Sequence, residues 1–305
     1  MKHILVAVVL VLLLNASVSA FQKADAKKSA MKDTKAAPEK KAMTKGVAKT
    51  PPVVDERLQS MLWVQTSLEY RASCAQAYAG ATRALDAGLA APRHTAATEQ
   101  VNKPCRFKPP AIILDVDETV LDNAPMQARL VANGTSFNRE QWNEWCLDSS
   151  AKLIEGVGPF LKYARSRGVT VFFVTNRSSE LDAATAKNLT NELGYEVTPE
   201  MVMCKGERPE WTSNKSSRRT VVADTHRIIL LIGDQFGDFI QIEEGTPEER
   251  VEAGKSYMTQ LGRSWILIPN PNYGDWEQAL YNYDFSLDRN EIKRRKNAAL
   301  RPWKK

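Results

Sequence analysis

Four short runs of apolar residues constrain the fold of this 305-residue chain more than any other feature. The runs are "AIIL" at 111–114, "VTVFFV" at 169–174, "RIILLI" at 227–232 and "WILI" at 265–268. Nearly continuous apolar runs of this length are typical of parallel strands that are covered on both faces. Helix-like stretches separate the runs, and three of them end in glycine, which suits the position after a helix. We predict an α/β fold with a doubly wound, mostly parallel sheet.

Acidic residues follow two of these runs directly. The first run leads into "DVDET" and the third into "GDQFGD". Residues i and i+2 of an extended chain point the same way, so Asp115 and Asp117 share one side. Two carboxylates so close are costly to ionise together unless a cation lies between them or one of them takes a proton, and Asp234 adds a third carboxylate from another strand. Such oxygen donors suit Mg²⁺. The alternative is that one of these acids only caps the following helix.

The second run ends in "TNR", which offers groups suited to a phosphate oxygen. Thr175 supplies a hydroxyl and Asn176 an amide, next to backbone N–H groups. Lys215, in "SNKSSRR", offers a positive point charge. An ordinary turn at Thr175 and Asn176, and an ordinary surface position for Lys215, are the alternatives. Because ligands of open α/β sheets bind beyond the carboxyl ends of the strands, we expect these groups to converge there.

Residues 1–20 have the pattern of a signal peptide. A basic start is followed by the eleven-residue apolar run "ILVAVVLVLLL" and then by the small residues of "NASVSA". Because the run is short for a membrane span, we predict export and cleavage after Ala20. An uncleaved anchor is the alternative.

The next segment, 21–52, is rich in lysine and alanine. It carries nine lysines against three acids, a charge of +6. The whole chain is also +6 and Lys2 contributes +1, so residues 53–305 carry about −1. With few large apolar groups the segment is predicted to be a disordered linker. Since the basic charge belongs to this tail, we expect weak contact with an anionic envelope surface and no nucleic-acid partner.

Residues 53–305 are predicted to form one domain, with a helical part at 53–105 and an α/β core at about 110–285. Apolar residues recur at roughly helical spacing over 55–90. We expect these N-terminal helices and the segment after "DVDET" to form a smaller helical lid. The four cysteines include no CxxC pair, so a zinc or redox site is not favoured, and their disulfide pairing stays open. They are Cys74, Cys105, Cys146 and Cys204.

Four of these motifs, in this order, resemble the signatures of haloacid dehalogenase (HAD) superfamily phosphatases: "LDVDETVLDN", "VTNR", "NKSSR" and "GDQFGD". Three further features narrow the resemblance. "LWVQTSLEY", the pair Trp142 and Trp145, and "WILIPNPNYGDWE" are similar to the class C (subfamily IIIB) acid phosphatases, bacterial envelope nucleotidases of the outer-membrane lipoprotein type. The resemblance extends over about residues 57–283.

The resemblance implies a role for each motif residue. Asp115 would be the nucleophile that forms an aspartyl-phosphate. Asp117 would be the general acid and then the base, with its backbone carbonyl on Mg²⁺. The carboxylates of Asp115 and Asp234 would bind the metal, with Asp238 in or next to its shell. The phosphoryl group would be held by Thr175, Asn176 and Lys215.

The implied activity is Mg²⁺-dependent hydrolysis of phosphate monoesters, with 5'-nucleotides expected among the substrates. Aromatic residues that stack on a nucleobase would explain such a preference. The candidates are Tyr70, Trp142, Trp145 and Tyr273, and for each of them ordinary packing is the alternative. A non-catalytic storage or binding protein on the same fold is the alternative function. A dehalogenase is disfavoured because those enzymes usually lack the second aspartate.

The resemblance also implies a homodimer and an envelope location. The lipoprotein relatives carry a cysteine at the signal cleavage site, whereas this chain reads "SVSAFQ" there. We therefore expect a periplasmic or secreted protein without a lipid anchor.

Overall fold

A computed structural model of the chain describes residues 55–242 and 244–303. Its central sheet has five strands in the order β5-β4-β1-β6-β7, and every neighbouring pair is parallel. A separate antiparallel pair, β2 and β3, lies outside this sheet. The strands are β1 (Pro110–Leu114), β2 (Leu121–Asp122), β3 (Lys152–Leu153), β4 (Thr170–Ser178), β5 (Val202–Lys205), β6 (Arg227–Gly233) and β7 (Trp265–Leu267).

Helices connect and cover these strands, which confirms the predicted α/β fold. They are α1 (Leu58–Thr66), α2 (Leu68–Ala90), α3 (Ala124–Asn133), α4 (Arg139–Asp148), α5 (Val157–Ser166), α6 (Asp182–Leu193), α7 (Ser216–Thr225), α8 (Pro247–Gly254), α9 (Asp275–Gln278) and α10 (Arg289–Ala298). The predicted signal peptide (1–20) and linker (21–52) lie outside the described residues.

Both faces of the sheet are buried because successive residues of a strand point to opposite sides. In β1, Ile112 and Leu114 join one apolar cluster, while Ala111 and Ile113 join another. Side chains of α2 and α5 complete the first cluster, and side chains of α7 contribute to the second. The near-continuous apolar runs in the sequence follow from this two-sided burial.

The N-terminal helices have two different surroundings. Helix α1 packs against α3, whereas the longer α2 packs against α5, β6 and β7. Tyr78, Ala81 and Leu85 of α2 are fully buried in the first apolar cluster. Helix α2 therefore belongs to the layer that covers the sheet, whereas the sequence analysis assigned it to a lid. The reason is the stripe of buried residues from Tyr70 to Gly88, which packs against β6 and β7.

The register of the sheet brings the carboxyl ends of three strands to one edge. Leu114 of β1 pairs with Phe173 of β4 on one side and with Ile232 of β6 on the other. The residues that follow these positions therefore emerge together. The Asp115 N–H still donates to the Ile232 carbonyl at 2.9 Å, so the first acid lies directly at the end of the ladder.

Strand β5 was not predicted. It has only four residues, "VMCK", and its burial stops at the exposed Lys205. Its parallel partner is the long strand β4. A run this short carries too little periodicity to be distinguished from the end of a helix.

All four cysteines are buried and none forms a disulfide with another. Burial raises the pKa of the Cys74 thiol to about 11 and those of Cys146 and Cys204 to about 12. Among the described residues no helix has the length and apolar character needed to cross a membrane.

Candidate active site

A tight turn after β1 presents the two aspartates of "DVDET". Val116 is fully buried, and its carbonyl accepts the N–H groups of Val120 and Leu121, each at 2.8 Å. The turn requires a left-handed backbone at Glu118, whose φ is 57°. Because Val116 points into the core, Asp115 and Asp117 are directed out of it, as the alternation in the sequence predicts.

Three carboxylates from two strand ends form a cluster. Oxygen atoms of Asp115, Asp234 and Asp238 all lie within 4.8 Å of one another. Burial raises the pKa of Asp115 to about 7, and the neighbouring charges of Asp238 and Asp117 contribute. Burial and the same crowding raise the pKa of Asp234 well above its usual range. The three carboxylates provide the hard oxygen donors that Mg²⁺ prefers, and a bound cation would relieve their mutual repulsion. The residues therefore fit that ion.

Asp234 and Asp238 are held in place by hydrogen bonds from outside the cluster. Asn270 Nδ2 donates to Asp234 Oδ2 at 2.8 Å. The Gln235 N–H donates to Asp238 Oδ2 at 3.0 Å, in a capping box at the turn Phe236–Asp238. Asp238 also passes so close to Gly233 that a Cβ on this glycine would lie 2.2 Å from Oδ2. Steric overlap with Asp238 therefore explains why the first residue of "GDQFGD", Gly233, is a glycine.

Lys215 connects the cluster to helix α7, which it precedes as the N-cap residue. Its Nζ contacts Asp115 Oδ1, and it donates to Asp238 Oδ1 at 2.6 Å. The side chain is only 6% exposed, so Lys215 is not an ordinary surface lysine. Burial alone would lower the lysine pKa, but the charges of Asp115 and Asp238 outweigh burial and raise it. The ammonium therefore stays charged beside the carboxylate of Asp115.

The side-chain amide of Asn176 has hydrogen-bond partners within the protein. Its Nδ2 donates to the Ser213 carbonyl at 3.0 Å, and its Oδ1 accepts from Arg218 Nη2 at 2.7 Å. Arg218 is fully buried and also donates to the Thr212 carbonyl at 2.7 Å. Both ends of the amide thus have a protein partner, and the second N–H of Nδ2 remains to donate to a ligand. The Asn176 side chain also fixes the loop before Lys215.

The carboxylate of Asp117 does not belong to the three-acid cluster and has hydrogen-bond partners of its own. Arg177 donates to its Oδ1 from Nε at 3.0 Å and from Nη2 at 2.8 Å. Asn123 Nδ2 donates to the same oxygen at 2.9 Å. Thr175 Oγ1 lies 3.4 Å from Oδ2, so this predicted residue does reach the site.

Arg177 and Asn123 were not predicted as residues of the site. Strand β4 continues to Ser178, and its burial alternates through Thr175 and Arg177 while Asn176 is exposed. The two-residue spacing from Thr175 was therefore the signal that places Arg177 on the same side. No comparable signal marks Asn123, because its contact depends on how the chain turns after β2.

A third acid of the same turn, Glu118, is buried and was not predicted as part of the site. It contacts the Tyr273 hydroxyl, and its Oε1 accepts the Asn123 N–H at 3.2 Å. Burial, with the charges of Asp117 and Asp234, raises the pKa of Glu118 well above its usual range. Tyr273 thereby links the loop after β7 to the turn after β1.

The four aromatic candidates have different surroundings. Tyr70 is buried in the core, with its ring edge-on to Trp63 at 5.4 Å. Trp145 Nε1 donates to Asn123 Oδ1 at 2.7 Å. Trp142 lies beside the Arg177 guanidinium, 5.6 Å from the ring centroid. Three candidates, Trp142, Trp145 and Tyr273, thus contact residues around Asp117, whereas Tyr70 packs in the core.

Comparisons with known proteins agree with this architecture. A family model described as HAD superfamily, subfamily IIIB (acid phosphatase) matches residues 16–276. The class C acid phosphatase from Bacillus anthracis is 35% identical, with a TM-score of 0.73 over 82% of this chain and 99% of that chain. A structure of that enzyme with tungstate bound is 33% identical, with a TM-score of 0.72 over 83% of this chain and 99% of the other.

Proposed function

The chain belongs to the acid phosphatases of HAD superfamily subfamily IIIB and is a phosphomonoester hydrolase, and we propose that it is Mg²⁺-dependent and works through an aspartyl-phosphate at Asp115. One observation carries the proposal. The carboxylate of Asp115 contacts the charged Lys215 and belongs to the three-acid cluster. A buried carboxylate that shares a cation-binding set and faces a fixed ammonium has the surroundings of a nucleophile.

In the first step, an Asp115 oxygen attacks the phosphorus atom. An O–P bond forms to Asp115, and the bond from phosphorus to the ester oxygen breaks. The ester oxygen keeps the electron pair of that bond and takes a proton from Asp117, so an alcohol leaves. Lys215 neutralises charge on the transferring phosphoryl oxygens, and the Thr175 hydroxyl and the Asn176 backbone orient them.

In the second step, Asp117 accepts a proton from water while the water oxygen attacks phosphorus. The O–P bond to Asp115 breaks, phosphate is released and the Asp115 carboxylate is restored. Splitting one displacement into two steps lets the same acid serve as donor and then as acceptor.

Mg²⁺ is the ion that best suits the donor set. The carboxylates of Asp115 and Asp234 would hold it, with the Asp117 carbonyl and with Asp238 in or next to its shell. When bound, the ion supplies positive charge against the phosphoryl oxygens. The relative with tungstate bound supports a site that takes an oxyanion of phosphate type.

We propose nucleoside 5'-monophosphates as one substrate class. Trp142, Trp145 and Tyr273 contact residues around Asp117, on the side where the leaving group departs. An aromatic face stacks on a nucleobase and has no such partner in a simple alkyl ester. Alanine at these positions should weaken hydrolysis of nucleotides more than that of glycerol phosphate, which also has an alkyl leaving group but carries no ring. An equal effect on both substrates would count against a nucleobase site.

The test of the catalytic proposal is Asp115→Asn together with removal of metal. The variant should lose turnover and stay folded, because Asn has the same shape without the nucleophilic charge. Asp122→Asn is the matched control, since Asp122 follows in the same segment and only accepts the N–H of Ala124, the first residue of α3, at 2.8 Å. EDTA should inactivate the wild type and Mg²⁺ restore it. Near-normal activity of Asp115→Asn, or full activity in excess chelator, would refute the respective assignment.

We also propose that the protein is exported, on the pattern of residues 1–20, and acts in the periplasm or outside the cell. The basic linker 21–52 would then lie close to anionic envelope polymers. Fractionation of cells that produce the full chain tests this proposal, and a cytoplasmic full-length product would contradict it.

A further inference from the structure

The two oxygens of the Asp117 carboxylate have unequal surroundings. Oδ1 accepts three hydrogen bonds, from Arg177 Nε at 3.0 Å, from Arg177 Nη2 at 2.8 Å and from Asn123 Nδ2 at 2.9 Å. Oδ2 has only longer contacts, to Thr175 Oγ1 at 3.4 Å and to Arg177 Nε at 3.3 Å. Arginine and the amide NH₂ donate and never accept, so a proton has no place on Oδ1. Only Oδ2 is able to carry one.

The groups that hold Oδ1 are themselves fixed. The Arg177 side chain is 1% exposed, and its Nη1 donates to Thr185 Oγ1 at 3.2 Å. Asn123 is fully buried and accepts the Trp145 indole N–H on Oδ1 at 2.7 Å. That bond sets the direction of the amide, because an indole only donates and therefore selects the carbonyl end. The NH₂ end is left to face Asp117.

We propose that Arg177 and Asn123 are positioning residues, oriented in part by Trp145, that direct Oδ2 of Asp117 toward the leaving-group oxygen. The inference rests on the proposed role of Asp117 as general acid. When the bond from phosphorus to the ester oxygen breaks, its electron pair stays on that oxygen, and the Oδ2 proton moves there. Rotation of the protonated carboxyl group would bring its proton against Arg177 and Asn123, which only donate, so this orientation is kept.

The leaving group supplies the decisive readout. An alkyl phosphate such as glycerol phosphate must receive a proton as its alkoxide leaves, whereas nitrophenolate leaves without one. Loss of a well-placed acid therefore slows the first substrate far more than the second. A variant that damages phosphate binding, metal binding or the fold slows both substrates alike. The measured quantity is the ratio of kcat/KM for nitrophenyl phosphate to kcat/KM for glycerol phosphate.

Asp117→Asn sets the upper limit and should raise this ratio by about 100-fold or more, within the usual range for general acid catalysis. Arg177→Gln should raise it by about tenfold, and Arg177→Lys by less, because lysine keeps the charge without the planar fork. Trp145→Phe, the mildest change, should raise it by about two- to fivefold through the freed Asn123 amide. Trp211→Phe is the matched control and should leave the ratio unchanged, because the buried Trp211 Nε1 has no hydrogen-bond partner within the described residues.

The outcomes separate this inference from the proposed function. If Asp117→Asn lowers both substrates equally, the acid role itself is wrong. If Asp117→Asn raises the ratio but Arg177→Gln and Trp145→Phe lower both substrates equally, the positioning role is overturned. Circular dichroism reports whether each variant is folded. Should Arg177→Gln fail to fold, Trp145→Phe decides alone, and an unchanged ratio in that variant overturns the inference.

Discussion

Replacing Gly233 by alanine should misplace Asp238, one of the three acids of the cation-binding cluster. A Cβ on Gly233 would lie 2.2 Å from Asp238 Oδ2, 2.3 Å from its Cβ and 2.5 Å from its Cγ, whereas ordinary contact begins at 3.4 Å. The carboxylate must therefore retreat by 3.4 − 2.2, about 1.2 Å. Since the Asp238 Cβ is also in the way, rotation of the side chain alone does not relieve the clash.

The movement affects two interactions of the site. Lys215 Nζ lies 2.6 Å from Asp238 Oδ1, and the Gln235 N–H holds Oδ2 at 3.0 Å. A displacement of this size lengthens or breaks both. A misplacement of about 1 Å costs on the order of 100-fold in rate, and overpacking costs about 1–3 kcal/mol of stability. We expect kcat/KM for nitrophenyl phosphate to fall by about 100-fold and Mg²⁺ affinity to weaken.

The matched control is Gly237→Ala in the same loop. A Cβ there meets only Asp275 Oδ2, at an ordinary 3.7 Å, so activity and Mg²⁺ affinity should stay close to wild type. Steady-state kinetics, calorimetric titration of Mg²⁺ and thermal unfolding are the measurements. If Gly233→Ala keeps kcat/KM and Mg²⁺ affinity within about threefold of wild type, the close approach to Asp238 is not a constraint on the site, and this reasoning is wrong.

Two further predictions concern buried groups. Because the pKa of Glu118 is raised in the folded state, folding holds its proton, and the stability it contributes is lost as pH rises above its unfolded value of 4.5. In chelator, the unfolding free energy of Glu118→Gln, measured with urea, should therefore rise relative to that of wild type by up to about 1.4 kcal/mol per pH unit between pH 5 and 7. If the unfolding free energies of the two proteins change in parallel with pH, Glu118 is not protonated in the folded state. The four buried thiols should be unreactive to Ellman's reagent in the native protein and all react in guanidinium, and fewer than four would indicate a disulfide.

Local patterns in the sequence were sufficient for four of the five strands of the sheet and for the acids at its edge. The runs in β1, β4, β6 and β7 are apolar enough to mark buried parallel strands, and the acids follow two of them directly. Strand β5 was not predicted because a run of four residues is too short to show a hydrophobic periodicity. Its position is determined by pairing with β4, and no local sequence pattern predicts that pairing.

Contacts between distant segments account for the parts of the site that were missed. Arg177 meets Asp117 across 60 residues, and Tyr273 meets Glu118 across 155. The sequence predicts Asn176 as a phosphate ligand because an amide at a strand end suits an anion. Its engagement by Arg218 and the Ser213 carbonyl depends on a loop whose path only the tertiary structure determines.

The charges of the site divide into two groups with different requirements. Asp115, Asp234 and Asp238 carry −3 when ionised, and Lys215 returns +1, so this group holds −2. An incoming phosphoryl group is also negative, and its approach to Asp115 is therefore opposed until a divalent cation balances the −2. Asp117 and Arg177 lie outside this group, and they form an ion pair only while Asp117 has given up its proton. They therefore do not reduce the −2 of the cluster, and Asp115 should attack only when the cation is present.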